Sequence, residues 1–289
     1  MREAKALDGN RLVKFSTEIA FNQTGQATFA AELRSGLRED QLEPYYQPRI
    51  DLDSGELRGL EALLRWNHPT RGLLGPADFL PCCEEMGLMN IIGHRVISHA
   101  CSAVQWLDEH GLEDVEVALN VSFAQLEADG FVEIVAGIIA RSGIDATRLE
   151  FELTEASALQ ETELARQRIG ELRELGIRFS LDDFGTGFSQ LSHLTELPVS
   201  AVKIDAMFLS EVPQNPQHEA LCTAIIEIAR RLQMTVIAEG AETLEQIEFL
   251  RRHGCSQVQG FFFSPAIPLQ RLPLFIQRQR WHRQGQLAL

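Results

Sequence analysis

One feature constrains this chain more than any other: an order that repeats along most of its length. A short apolar run is followed by a polar turn and then by an amphipathic stretch of helical length. The runs Tyr45–Leu52, Leu57–Trp66, Val115–Val121, Leu149–Leu153, Arg178–Leu181, Ala201–Ile204, Thr235–Ala238 and Gln257–Phe262 read as strands. Helical spacing covers Met89–His110, Phe131–Ser142, Leu164–Leu175, Glu219–Leu232 and Leu244–His253, with a shorter helix over Phe29–Leu37. Gly111, Gly143, Gly176 and Gly254 each follow such a pattern, where a helix stop belongs. The first two strands break the rule, because Asp53-Ser54-Gly55-Glu56 is too short to hold a crossover helix. They read as a hairpin, which sets the first strand antiparallel. The expected fold is therefore α/β, a modified TIM (β/α)8-type barrel with its first strand antiparallel. A doubly wound open sheet shares the same alternation and stays open as the alternative. Residues 1–28 read as a leader or interdomain connector and 29–289 as the barrel. Val212–Pro216, with two prolines, reads as a loop.

Composition narrows the partners. Against 26 basic residues stand 41 acidic ones, a net charge of −15. A surface that coats a nucleic-acid polymer needs clustered Lys and Arg, so that class is excluded. A small anionic ligand is not, since a bound metal ion supplies positive charge locally. Five cysteines without a CxxC pair read as reduced thilols of a cytoplasmic protein. No run approaches the roughly 18 apolar residues of a membrane span, and no signal-peptide core follows Met1–Lys5. The chain thus has no membrane segment of its own, although a longer parent protein could be anchored.

Chemistry gathers at the strand ends. Glu61 lies on the second strand, Asn120 follows the third, Glu152 is on the fourth, and Asp182-Asp183 follow the fifth. Lys203 and Asp205 bracket the end of the sixth, Glu239 follows the seventh, and Gln259 lies on the eighth. In a parallel barrel these ends share one face. Charged groups rarely occupy strands unless paired or bound to metal. Crowded carboxylates raise one another's pKa, and a bound cation relieves that repulsion. Hard oxygen donors select Mg²⁺ or Mn²⁺, and the scattered histidines do not form a zinc pattern. Each residue alone has an ordinary structural explanation, such as a turn for Asp182-Asp183 or a rim charge for Lys203. Their coincidence at matching strand positions favours a site.

These residues resemble the EAL family of cyclic di-GMP phosphodiesterases. The similarity runs from about Phe29 to near the C-terminus through Tyr46-Gln47-Pro48, Glu61-Ala62-Leu63, Arg65-Trp66-Asn67-His68-Pro69, Asn120-Val121-Ser122 and Glu152-Leu153-Thr154-Glu155. It continues through Asp182-Asp183-Phe184-Gly185-Thr186-Gly187, Lys203-Ile204-Asp205, Ala238-Glu239-Gly240-Ala241-Glu242 and Gln259-Gly260. The resemblance implies hydrolysis of cyclic di-GMP to linear pGpG with Mg²⁺ or Mn²⁺, as two ions. It makes Glu61, Asn120, Glu152 and Asp182 the core metal ligands, with Asp183 on the second metal or the water. Glu239 becomes a metal ligand or base, and Lys203 orients the attacking water and offsets phosphate charge. Glu155 would anchor the loop after Asp183. Gln47, Leu63 and Arg65 would contact the dinucleotide, and Glu242 and Gln259 would support its binding. Two-ion sites favour in-line displacement at phosphorus, a reaction that needs positioning and charge stabilisation above all.

The chain departs from the family pattern in places. Ala241 stands for a usual Val, Phe188 for a common Tyr and Gln190 for a common Ser, none of them a ligand. Ser264-Pro265-Ala266 stands where Ser-Arg/Lys-Pro is frequent, which removes one basic contact at the rim. The alternative function is a catalytically weak or inactive cyclic di-GMP receptor acting through protein interactions. Such a domain should have lost a carboxylate or the lysine, and here all are present. The segment Lys14-Phe15-Ser16-Thr17-Glu18 resembles the connector found upstream of this domain, so a preceding sensor or GGDEF-type domain in a longer protein is expected, as is a homodimer.

Overall fold

The computed structural model describes residues 27–155, 162–186 and 197–277. The expected connector at Lys14–Glu18 and the departures Phe188 and Gln190 lie outside them. The chain divides into two compact units: a smaller one up to Glu43 together with Arg65–Met89, and a larger one of Pro44–Leu64 with the chain from Asn90 onward.

The larger unit contains the barrel. Its strands are β1 (Leu42–Asp51) and β2 (Leu57–His68), both of which begin or end in the smaller unit, and then, past β3 (Gly72–Leu74) of the smaller unit, β4 (Glu116–Asn120), β5 (Leu149–Thr154), β6 (Arg178–Phe184), β7 (Ala201–Ile204), β8 (Thr235–Ala238) and β9 (Gln257–Val258). The order is β1-β9-β8-β7-β6-β5-β4-β2, and a further β1–β2 pairing closes the ring. Pairs from β2 round to β9 are parallel, and β1 is antiparallel to β9. The open-sheet alternative is thereby set aside. The hairpin turn is fixed by Asp51, whose carboxylate accepts from Ser54 N–H at 2.7 Å, while Gly55 takes the positive φ of 67° that the turn requires.

The parallel strands are apolar because both faces are covered: β7 reads Ala-Val-Lys-Ile and is buried throughout. Helices pack outside. Among them α3 (Met89–Glu109), which follows α1 (27–38) and α2 (Pro76–Glu85) of the smaller unit, buries Ile92, Val96, Ala100, Ala103, Val104 and Leu107 along one stripe. The short α4 (Phe123–Leu126) is capped by Ser122, and α5 (Phe131–Ser142) ends at Gly143 in the left-handed conformation. Next come α6 (Glu163–Glu174), α7 (Ala206–Leu209), α8 (Pro216–Arg231) and α9 (Leu244–His253). Thr162, Asp205, Asn215 and Thr243 cap these four helices.

Several boundaries differ from the sequence reading. Helix α8 begins at Pro216 rather than Glu219, because a proline fits the first helical position, where no N–H is needed, and Asn215 caps it. The last strand stops at Val258 rather than Phe262. A side chain at Gly260 would strike the backbone of Ala241, and the chain turns there, with Phe262 N–H bonded to Ala241 O at 2.9 Å. The pairing of β6 with β7 carries one extra residue between Leu181 and Phe184, a bulge that the apolar pattern does not announce.

In the smaller unit Trp66 is the centre. It is fully buried against Phe29 and Phe79, with ring centroids 5.3 and 6.0 Å away, and its indole N–H donates to Gln41 Oε1 at 3.1 Å. Gly36 leaves the room that the indole occupies. β3 pairs antiparallel with the end of β2, an addition the sequence reading did not include. No helix among the described residues is long and apolar enough to cross a membrane.

Candidate active site

Barrel closure brings the C-terminal ends of the parallel strands to one rim, and backbone register sets the heights of their side chains. Asn120 is level with Glu152, Thr154 with Asp182, and Glu61 with Ala118. The centre of the constellation is Lys203 on β7, whose side chain is 1% exposed. Its Nζ donates to Glu152 Oε2 at 2.8 Å. It also lies 2.6 Å from Glu239 Oε1, 3.2 Å from Asp182 Oδ1 and 3.5 Å from Glu61 Oε1. Amides stitch the carboxylates together. Asn120 Nδ2 donates to Glu61 at 3.2 Å and to Glu152 at 3.4 Å, and Gln259 Nε2 donates to Glu61 and, at 3.2 Å, to Glu239.

Four carboxylates therefore share one ammonium in a water-poor place. Burial and the charge of Glu61 push Glu152 well above the usual carboxylate range. Burial pushes Glu239 up to about 8, against the pull of Lys203. Burial acts in the same sense on Glu61, but Lys203 and the hydrogen bond from Gln259 outweigh it and hold that carboxyl low. Burial would deprotonate Lys203, yet the carboxylates around it keep it firmly charged. The ring titrates as a unit, and a proton or a cation must meet its surplus negative charge.

The bulge in β6 explains the pair Asp182-Asp183. Asp182 points into the ring, while Asp183 takes φ 55° and its carboxyl is pushed up to about 6 by burial, by Asp182 and by Asp205. Two residues on, Gly185 has φ 97°, and its N–H donates to Glu155 Oε2 at 2.6 Å. Glu155 is 2% exposed, so a buried carboxylate anchors the segment after Asp183.

Gln47 on β1 donates to the carbonyl of Ser264 at 3.2 Å, and Leu63 is half-buried on β2. The side chain of Glu242 is exposed, and its backbone N–H donates to Gln246 Oε1 at 2.7 Å. Arg65 belongs to the smaller unit, where it is half-buried. Asp205 caps α7 through the N–H of Met207 at 2.7 Å.

The donor set suits a hard divalent cation. It offers carboxylate and amide oxygens alone, and two buried oxygens, Glu152 Oε1 and Gln259 Oε1, have no hydrogen-bond partner. Among the described residues no three His, Cys, Asp or Glu side chains enclose a common ion-sized point. The carboxylates converge instead on Lys203, the cation they share.

Sequence reasoning missed a second ionic layer. Arg49, Glu116 and Glu150 are all buried in the barrel interior, with Arg49 donating to Glu150 at 2.9 and 3.2 Å and to Glu116 at 3.3 Å. A signal was present in the alternation of β5, where Glu150 and Glu152 must share one face.

Comparison with known proteins agrees with this geometry. The EAL domain family matches residues 30–266. The cyclic di-GMP phosphodiesterase NbdA of Pseudomonas aeruginosa is 37% identical over 281 residues, which are 97% of this chain and 36% of NbdA. The bifunctional diguanylate cyclase/cyclic di-GMP phosphodiesterase MucR of the same organism is 36% identical over 94% of this chain and 40% of MucR. The chain thus spans well under half the length of these relatives. Among solved structures, the PaMucR phosphodiesterase in complex with c-di-GMP superposes with a TM-score of 0.80 at 37% identity, covering 84% of this chain and 98% of that one. With the family matching most of its length and the acidic ring in place at the strand ends, the chain belongs to the EAL domain family.

Proposed function

We propose that this domain is a metal-dependent phosphodiesterase that hydrolyses cyclic di-GMP to linear pGpG, with residues 29–289 as the catalytic barrel and 1–28 as a connector. The observation that carries the reading is the complete ring of Glu61, Asn120, Glu152, Asp182 and Glu239 around Lys203. The names of NbdA and MucR, and the dinucleotide bound in the PaMucR complex, supply the substrate.

Family membership implies divalent-metal use, and the hard donors favour two ions of Mg²⁺ or Mn²⁺. Glu61, Asn120, Glu152 and Asp182 would hold them, with Asp183 and Glu239 completing the set. Bound ions would supply Lewis acidity and a water that is easily deprotonated. The protein's own groups do the rest. Lys203 is a fixed donor, oriented by its carboxylates toward one place, where it can hold the attacking water and offset phosphate charge. Glu239 lies 2.6 Å from Lys203 Nζ, where it serves as a metal ligand or as the base. Glu155 keeps Asp183 in its strained conformation through Gly185. Gln47, Leu63, Arg65, Gln259 and Glu242 are assigned to the dinucleotide. In the reaction the water oxygen bonds to phosphorus, one P–O3′ bond breaks, and the departing 3′ oxygen takes up a proton.

A homodimer, an upstream sensor or GGDEF-type domain and a cytoplasmic setting belong to the same proposal. The test is hydrolysis of cyclic di-GMP with Mg²⁺ or Mn²⁺, followed by chromatography, with Glu61→Ala alongside. Formation of pGpG by the wild type, abolished by chelator and by the substitution, is the expected result. Binding of cyclic di-GMP without product would replace the enzyme with a receptor.

A further inference from the structure

The ionic layer beneath the acidic ring has no part in the reaction described so far. Arg49 is 2% exposed and sits on β1, yet its guanidinium forks across the barrel interior to Glu150 on β5. The two strands are not neighbours in the ring, so the contact is a strut through the interior rather than a ladder pair. Room for it comes from Gly59 on β2, where an added Cβ would lie 2.7 Å from Arg49 Nε. Glu116, on β4, is shared: Arg49 reaches it at 3.3 Å and Arg178 at 2.8 Å. Glu150 and Glu152 are two residues apart on one strand, so whatever fixes the first sets the height and tilt of the second. Arg49 also feels the charge of Glu152 directly.

We infer that Arg49, through its bidentate bond to Glu150, is a positioning residue for the metal carboxylate Glu152. The inference rests on the proposed metal-dependent function. Buried ion pairs are weak stabilisers, and an apolar pair of similar volume often serves the fold as well. A fork of two N–H···O bonds has direction, which an apolar pair lacks. Groups that orient metal ligands typically contribute 10–100-fold to metal affinity.

The experiment is Mn²⁺ binding, read from the electron paramagnetic resonance signal of the free ion, on wild type, Arg49→Met and the double variant Arg49→Met/Glu150→Leu. Arg49→Met alone leaves Glu150 unpaired and can fail to fold. The double variant removes one charge of each sign, which keeps the net charge, and leaves Glu116 with Arg178. Both variants, where folded, are expected to bind Mn²⁺ at least about 10-fold more weakly. In turnover, kcat should fall at saturating Mn²⁺ with KM for cyclic di-GMP within about 3-fold of wild type. Losing a positive charge would by itself strengthen cation binding, so weaker binding by Arg49→Met reports lost position. A folded double variant that binds Mn²⁺ like wild type overturns the inference and leaves the phosphodiesterase reading intact. A wild type that binds no Mn²⁺ overturns the metal-site reading, and the inference with it.

Discussion

Raising the pH should destabilise this protein when metal is withheld. Four carboxylates around Lys203 cannot all be charged without a second cation, and Glu239 is the member pushed from 4.5 to about 8. A group whose folded value lies above its unfolded one lends stability that is complete below the unfolded value and is lost as pH climbs through the folded one. The window for Glu239 is thus pH 4.5 to about 8. Glu61 is lowered, so its contribution changes only below its ordinary value, and Lys203 is raised above an already high one. Neither acts inside that window, whereas Glu152 and Asp183, both pushed upward, add to the loss in the same sense as Glu239. At about 1.4 kcal/mol per pKa unit the shift of Glu239 corresponds to roughly 5 kcal/mol. For a domain of this size that is about 10 °C in melting temperature. The assay is thermal unfolding by circular dichroism in chelator from pH 5 to 9, with Glu239→Gln beside wild type. Wild type should melt lower at each step up in pH, and the variant's curve should be flatter. A wild-type melting temperature that is constant or rises between pH 5 and 8, or a variant of equal slope, would refute the account of the ring.

On the proposed role of Lys203 in offsetting phosphate charge, Lys203→Met should lower kcat by at least about 100-fold, as single-turnover kinetics would show. Without metal it should also unfold about 3–5 kcal/mol more easily at pH 8, as expected for removing one partner of a buried ionic group, and urea melts would measure this. Glu155→Ala frees the N–H of Gly185 and should destabilise by about 1–3 kcal/mol while lowering kcat more than it raises KM. Gly260→Ala drives a methyl into the backbone of Ala241 and should cost about 1–3 kcal/mol, visible in melting, with the strand ends displaced and activity falling in parallel.

Much of this molecule can be read from its residues, for reasons that differ by element. The hairpin of β1 and β2 follows from a four-residue gap, and the parallel strands from runs with both faces apolar. The ring of acids is legible because Glu61, Glu152, Asp182 and Glu239 fall at equivalent strand positions, where charge has no ordinary place. The bulge at Asp183 is not legible, since one extra residue in a strand leaves no mark in an apolar pattern. The end of β9 is hidden because Phe261–Phe263 look like strand, while Gly260 abutting Ala241 is a long-range event. The start of α8 is hard to read because Pro216 signals a loop in most settings and a helix only at the first helical turn, where it stands here. The strut from Arg49 to Glu150 joins residues 101 apart, and only barrel closure brings them together.

The surplus of carboxylate over ammonium in the ring also sets a direction for evolutionary drift. Replacing any one acid relieves repulsion in the metal-free state, so the change that silences the chemistry is also one that can make the fold sturdier. Lineages released from selection for turnover would then slide toward silent descendants that keep the barrel's shape. Loss of an acid with retention of Lys203 would be the first mark of that slide, and the full set in this chain is what selection for chemistry has to maintain.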